Sequence, residues 1–207
     1  MIKRIIFDLD DTLITWKKEY NDFIKKALID NNCNANSDYI SSLFDLYETC
    51  HTNHDKKALL EFMNEHSDVL ITQKIIDDAF ENISKMAEPD DEVIATLEYL
   101  KEKYELVVLT RWFITPQAKR LEKAKILPYF TEVIGGDEVM KPHPDAFKKA
   151  IGPHDVSECI MVGDNYNIDL IPAFNMGIKP IFINSKGFDN PNQFLEIKTF
   201  KELKDIL

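Results

Sequence analysis

Five short runs of β-branched and aromatic residues constrain this chain more than any other feature. They are Arg4 to Asp8, Glu105 to Thr110, Thr131 to Gly135, Cys159 to Gly163 and Lys179 to Asn184. Each is nearly continuous in apolar residues rather than alternating, so each predicts a strand buried on both faces. Helical patterns separate the later runs. One opens at Pro89 and Asp90 and continues through Val93, Leu97 and Leu100. A second opens with Thr115 as N-cap and Pro116 as first helical residue. A third runs from about Asn165 to Met176 and stops at Gly177, a helix-ending glycine. Apolar strands alternating with helices predict an α/β fold, a doubly wound parallel sheet covered on both faces.

Residues 15–88 break that alternation. Tyr20, Phe23, Ile24, Ala27 and Leu28 follow helical spacing, as do Ile40, Leu43, Phe44 and Tyr47. The same holds for Leu59, Leu60 and Met63, and for Ile75, Ile76, Ala79, Phe80 and Ile83. With no strand run among them, these residues predict an all-helical unit inserted after the first strand. Residues 1–14 and 89–207 are left to form the α/β core. The insertion's aromatics are expected to pack its own interior.

A 207-residue chain with 44% hydrophobic and 29% charged residues is large enough to bury close to ~70% of its unfolded surface. Cys33, Cys50 and Cys159 are odd in number and lack a CxxC spacing, which predicts reduced thiols and a cytoplasmic protein. MIKRIIFDLDD passes from three apolar residues straight into carboxylates, unlike a signal peptide. No segment approaches the ~20 apolar residues that span a bilayer. A formal charge of -11 argues against nucleic acid, which is bound through clustered Lys and Arg. It also means that an anionic ligand must find its positive charge locally.

In an open α/β sheet, ligands bind beyond the carboxyl ends of the strands. There the first run delivers Asp8, Asp10, Asp11 and Thr12, and the second Thr110 and Arg111. Lys141 follows the third, within Lys-Pro-His-Pro, and Asp164 and Asp169 follow the fourth. Carboxylates gathered at one point repel one another. A hard divalent cation resolves this, and oxygen-only donors suit Mg²⁺. Asp8 and Asp164 are the first candidates for direct ligands, with Asp169 in support and Asp10 contributing its backbone carbonyl. A carboxylate nucleophile divides phosphate ester hydrolysis into two easier displacements, and Asp8 at a strand tip suits that task. Asp10 is within reach of the leaving group as general acid and then base. Lys141 and Thr110 can stabilise the phosphoryl oxygens.

These residues resemble the four motifs of the haloacid dehalogenase-like superfamily, in its helical-cap phosphatase branch. FDLDDTL resembles the first motif, with nucleophile and acid/base at Asp8 and Asp10; VVLT resembles the second, with Thr110 as phosphate-binding hydroxyl. GGDEVMKPHPDAF resembles the third around Lys141, and VGDNYNID the fourth with Asp164 and Asp169. The resemblance implies a Rossmann-like core, a mobile cap over residues 15–88, a small flap after Asp10, and Mg²⁺-dependent hydrolysis of a small phosphorylated metabolite through an aspartyl-phosphate. Arg111 stands where the family often has asparagine, and Ile168 where a polar residue is common.

Simpler readings stand beside these. Asp8 and Asp10 could cap a strand-end turn, Lys141 could be a solvated loop lysine, and Asp169 could be a helix N-cap. Arg111 either binds an acidic group on the substrate or salt-bridges the acidic surface. Trp112 and Phe113 either line the cleft between cap and core or pack the interior. His51 and His54 lack the partners of a zinc site, and His143 reads as a loop residue. On the same chemistry a phosphomutase would return the phosphoryl group to substrate. A dehalogenase would attack carbon, but that branch lacks an aspartate at the position of Asp10. A phosphoaccepting signalling domain would have no use for the insertion or for Asp10, and a silent module would not retain the complete acidic set. The oligomeric state stays open between monomer and homodimer.

Overall fold

The computed structural model describes residues 1–15, 22–85, 89 and 91–207. Asp90 and Tyr20, named above in helical patterns, lie outside the described residues. The five expected strands form as β1 (Arg4–Phe7), β2 (Glu105–Leu109), β3 (Glu132–Ile134), β4 (Cys159–Gly163) and β5 (Lys179–Ile183). A sixth, β6 (Leu195–Ile197), was not anticipated; it is three residues long, half exposed, and embedded in a polar stretch. The sheet order is β3-β2-β1-β4-β5-β6, with every pairing parallel. This is the Rossmann-like doubly wound arrangement, with its order reversal at β1 and β4.

Side chains of the central strands alternate between two buried layers. Ile5, Phe7, Leu106, Val108, Ile160 and Val162 pack on one side with Val93, Leu97 and Leu100 of α5 (Asp91–Lys101). Ile6, Val107, Leu109 and Met161 pack on the other with Ala146, Phe147 and Ala150 of α7 (Pro144–Ile151). Each such burial contributes roughly 1.5–3 kcal/mol. Because both faces are apolar, alternation alone specifies strand register weakly. Arg4 supplies the missing cue. Its buried guanidinium bonds Glu105 on β2 and Glu132 on β3, each at 3.0 Å, and Arg4 and Glu105 are register partners.

Between β1 and α5, the described residues form four helices: α1 (Asp22–Asp30), α2 (Ser37–Cys50), α3 (Lys56–His66) and α4 (Gln73–Ser84). Asn36, Asp55 and Thr72 cap the last three through their side chains, satisfying amides that a helix start leaves open. Their inward faces form a separate apolar cluster that also takes in Trp112 and Phe113 from the loop after β2. Trp112 meets Phe23, Phe44 and Phe80 edge-on or tilted, with centroids 5.1–6.4 Å apart. Both are therefore packed in an apolar interior, where they plug the helical unit, and Trp112 also borders the cleft beside it. At 150–250 Å² per aromatic, each contributes up to roughly 4–6 kcal/mol of docking.

The helix after β2 starts earlier than Thr115 and Pro116 predict. It is α6 (Ile114–Lys123), with Phe113 as N-cap. Phe113 has no capping side chain, and Asp137 from the neighbouring loop accepts the Ile114 amide at 2.7 Å instead. The local cap signal was overridden by a tertiary one. After β4, Tyr166–Leu170 forms a wide turn in which the Leu170 and Ile171 amides reach back five residues, to Asn165 and Tyr166. Pro172, which has no N–H to give, follows in the short helix α8 (Ile171–Asn175). The run ends at Gly177, φ +88°, as its sequence suggests. No described helix is long and apolar enough to cross a membrane.

Candidate active site

The carboxyl end of the sheet carries a cavity of about 300 Å³, lined among others by Asp8, Asp10, Thr110, Lys141, Asp164 and Asp169. Asp11 and Arg111 line it too, whereas Thr12, also expected at a strand tip, is buried outside the lining. Asp8 continues β1 and is held by a bond from its amide to the Val162 carbonyl of β4, 2.9 Å. Beyond it the chain turns back on itself. The Leu13 and Ile14 amides return to the Leu9 carbonyl, and Asp10 pairs with Ile14, forming a small turn where the resemblance implies a flap. Asp11 takes φ 56° in this turn, a left-handed conformation that Asp tolerates better than most side chains. It pairs with Lys186 at 2.7 Å.

Lys141 is not a solvated loop lysine. Its side chain is 1% exposed, and its Nζ donates to Asp8 Oδ1 and to Asp169 Oδ1, both at 2.6 Å. Burial alone would push the ammonium's proton affinity down. The charges of Asp169 and Asp8 outweigh burial and raise it, so the lysine is a fixed cation. Asp8 moves up as well: burial favours its neutral form, Lys141 opposes, and the charges of Asp169 and Asp10 add to the rise. One ammonium shared between two carboxylates does not neutralise both.

Asp169 is not the helix N-cap. That role belongs to Asn165, whose side chain accepts the Asn167 and Ile168 amides. The wide turn instead directs the Asp169 carboxylate inward against β4. A Cβ on Gly163 would lie 2.7 Å from its Oδ2, so this strand end needs glycine. Asp164 completes the group, its carboxyl pushed up to about 7 by burial and by the charges of Asp169 and Asp11.

Oxygens of Asp8, Asp164 and Asp169 lie within 4.8 Å of one another. Three carboxylates face one ammonium, and Asp164 has no ion-pair partner among the described residues. The donor set is all oxygen and lacks two positive charges, which fits a hard divalent cation such as Mg²⁺. The Asp10 carboxylate lies apart from this set, so its expected share in metal binding rests on its backbone carbonyl.

Asp10 faces α6 instead. Its Oδ1 accepts from Arg120 Nη1 at 2.6 Å and its Oδ2 from Gln117 Nε2 at 3.0 Å. Gln117 also donates to Thr110 Oγ1 at 2.8 Å. Sequence reasoning missed both α6 residues, although a signal existed. Gln117 and Arg120 occupy positions of the buried stripe shared with Pro116 and Leu121, where a helix facing a core should be apolar.

The opposite wall of the cavity comes from the helical unit, through Asp45, Glu48 and Ile83. Of the two readings of Arg111, the structure displays the ion pair: Nη1 meets Glu48 Oε2 at 3.2 Å and Nη2 donates to the Glu48 carbonyl at 3.0 Å. Burial and the neighbouring Glu48 raise the Asp45 carboxyl. The loop between α2 and α3 is tied to the segment that delivers Lys141. The Met140 amide donates to the Thr52 carbonyl at 2.8 Å, and the His54 amide to Gly136 at 2.7 Å. His51 stacks on Tyr47 and His54 packs on Phe113. His143 caps α7 by accepting the Asp145 amide.

A family model described as haloacid dehalogenase-like hydrolase matches residues 2–177. Among curated proteins, the glyceraldehyde 3-phosphate phosphatase of Methanocaldococcus jannaschii is 28% identical, over 100% of this chain and 97% of its own length. The solved structure of a 2-haloacid dehalogenase from Pseudomonas syringae superposes with TM-score 0.75 at 21% identity, covering 100% of this chain and 98% of that one. The magnesium-bound HAD-hydrolase YfnB of Bacillus subtilis superposes with TM-score 0.73 at 16% identity, covering 99% and 98%.

Proposed function

The chain belongs to the haloacid dehalogenase-like hydrolases, and from that premise we propose that it is a Mg²⁺-dependent phosphatase acting on a small phosphorylated metabolite through an aspartyl-phosphate on Asp8. The observation that carries this reading is the contact of Lys141 with Asp8 and Asp169, both at 2.6 Å, in the lining of a cavity that also holds Asp10 and Thr110. The likeness to a glyceraldehyde 3-phosphate phosphatase and a cavity of about 300 Å³ favour a small substrate.

In this proposal an Asp8 oxygen attacks phosphorus and the ester P–O bond breaks, with Asp10 giving a proton to the departing oxygen. Water then attacks the aspartyl-phosphate, Asp10 takes its proton, and the Asp8–phosphorus bond breaks to release phosphate. Lys141 holds Asp8 in place and offsets charge on the transferring group, while Thr110 donates to one of its oxygens. Asp8, Asp164 and Asp169, with the Asp10 carbonyl, would hold the cation. A bound Mg²⁺ supplies charge neutralisation and polarises a phosphoryl oxygen. A dehalogenase attacking carbon has no task for an aspartate fixed as Asp10 is. Residues 1–14 and 89–207 form the catalytic core in this reading, and residues 15–88 a cap that closes the cavity and selects the substrate. Arg111, in the core after β2, is joined to that wall through Glu48.

The test is phosphate release from a panel of phosphorylated metabolites, in Mg²⁺ and in EDTA, with Asp8→Asn alongside. Release that requires both Mg²⁺ and Asp8 is the expected result. No release from any compound by folded protein overturns the proposal.

A further inference from the structure

Arg120 is the largest fully buried side chain among the described residues, and it sits on α6 where a helix facing a core would ordinarily place leucine. Taking a guanidinium out of water costs several kcal/mol unless its geometry is very good. Here the charge is set against a carboxylate: Nη1 donates to Asp10 Oδ1 at 2.6 Å and to Gln117 Oε1 at 2.7 Å. Gln117, one turn earlier, closes the ring through Nε2, at 3.0 Å from Asp10 Oδ2 and 2.8 Å from Thr110 Oγ1. Both Asp10 oxygens are thus gripped from beneath, while its side chain keeps 31% exposure toward the cavity. The hydroxyl of Thr110 is tied into the same frame.

We propose that Gln117 and Arg120 are positioning residues that act through Asp10, fixing its carboxyl group relative to the leaving-group oxygen and relative to Thr110. The proposal rests on the reading of Asp10 as acid and base. A carboxyl group that transfers a proton must sit within hydrogen-bond reach of the oxygen it serves, and displacement by about 1 Å can cost on the order of 10²-fold in rate. Asp10 lies on a flap of a few residues, which by itself fixes a side chain poorly. Helix α6 supplies the rigid support.

The effect is readable in how rate depends on the leaving group. For p-nitrophenyl phosphate the departing phenolate needs no proton, whereas an alkyl phosphate needs one. In Mg²⁺, Gln117→Leu and Arg120→Met should lose on the order of 10²-fold in kcat/KM toward alkyl phosphates and less than ~10-fold toward p-nitrophenyl phosphate. Arg120→Lys should recover part of the alkyl activity. Asp10→Asn is the benchmark and should show the same selective loss more strongly. Equal losses toward both substrates, in protein with an unchanged melting profile, would overturn the proposal, because a merely structural role does not discriminate between leaving groups. If Asp10→Asn itself fails to discriminate, the acid/base reading of Asp10 falls instead. If Asp10→Asn discriminates and the α6 variants do not, the positioning role alone falls. Should Arg120→Met not fold, Gln117→Leu, which removes no charge, decides the matter.

Discussion

Replacing Asp164 by asparagine should make the metal-free protein more stable at alkaline pH and leave it unchanged at acid pH. The folded Asp164 carboxyl titrates at about 7, against ~3.9 for an unfolded aspartate. The folded state therefore binds this proton more tightly than the unfolded state does. The stability it contributes is complete below about pH 4 and is lost as pH rises through 7. A separation of roughly 3 pH units corresponds to about 4 kcal/mol; because the side chain retains some contact with solvent, half of that, ~2 kcal/mol, is the expected size. For a chain of this length that is a shift of ~4–8 °C in Tm. Thermal melts of wild type and Asp164→Asn in EDTA should differ by only about a third of that amount near pH 5 and by the full amount near pH 8, with the variant higher. Saturating Mg²⁺ should reverse the order, since a ligand at 100 times its Kd adds ~2.7 kcal/mol to the form that binds it. A difference between the two proteins that stays the same from pH 5 to pH 8 in EDTA would refute the reasoning.

Three further outcomes follow from the same geometry. Lys141→Met leaves Asp8 and Asp169 buried without their cation and should cost roughly 3–5 kcal/mol in urea denaturation at pH 8 in EDTA, with part restored by adding Asp8→Asn. Trp112→Ala removes the aromatic that plugs the helical unit and should lower stability by roughly 3–5 kcal/mol, read as a shift in the denaturation midpoint. Glu48→Gln releases Arg111 from its charged partner and should raise kcat/KM toward carboxylate-bearing phosphate esters by roughly 10-fold over neutral ones, measured as a ratio between matched substrates.

The fold was legible because β1, β2, β4 and β5 are short, apolar and uninterrupted, and because each breaks off into polar residues. That pattern is local, and so are the helical spacings of Phe23 to Leu28 or Ile75 to Ile83. The convergence of Asp8, Thr110, Lys141, Asp164 and Asp169 was legible for a different reason: topology places every strand tip at one edge. β6 escaped because three residues with one buried position carry no period. The start of α6 escaped because its cap, Asp137, lies 23 residues away from Ile114. The pairing of Arg111 with Glu48 spans 63 residues and joins two surfaces whose approach no periodicity encodes. Gln117 and Arg120 were within reach, since polar residues on the inward stripe of an amphipathic helix are costly to bury and ask for a partner.

Arg4 acts as a gauge for chemistry it never touches. It stands four residues before Asp8, some ~13 Å down the strand, at the edge of the sheet remote from the cavity. A slip of β1 by one residue would separate Arg4 from Glu105, draw Asp8 back by ~3.3 Å and turn its side chain to the other face. The apolar contacts of Ile5, Ile6 and Phe7 would scarcely object, being hydrophobic on either side. The three charges at the far edge would. The height at which the nucleophile is presented is thus set from below, which leaves the loops above free to change what they recognise without losing their datum.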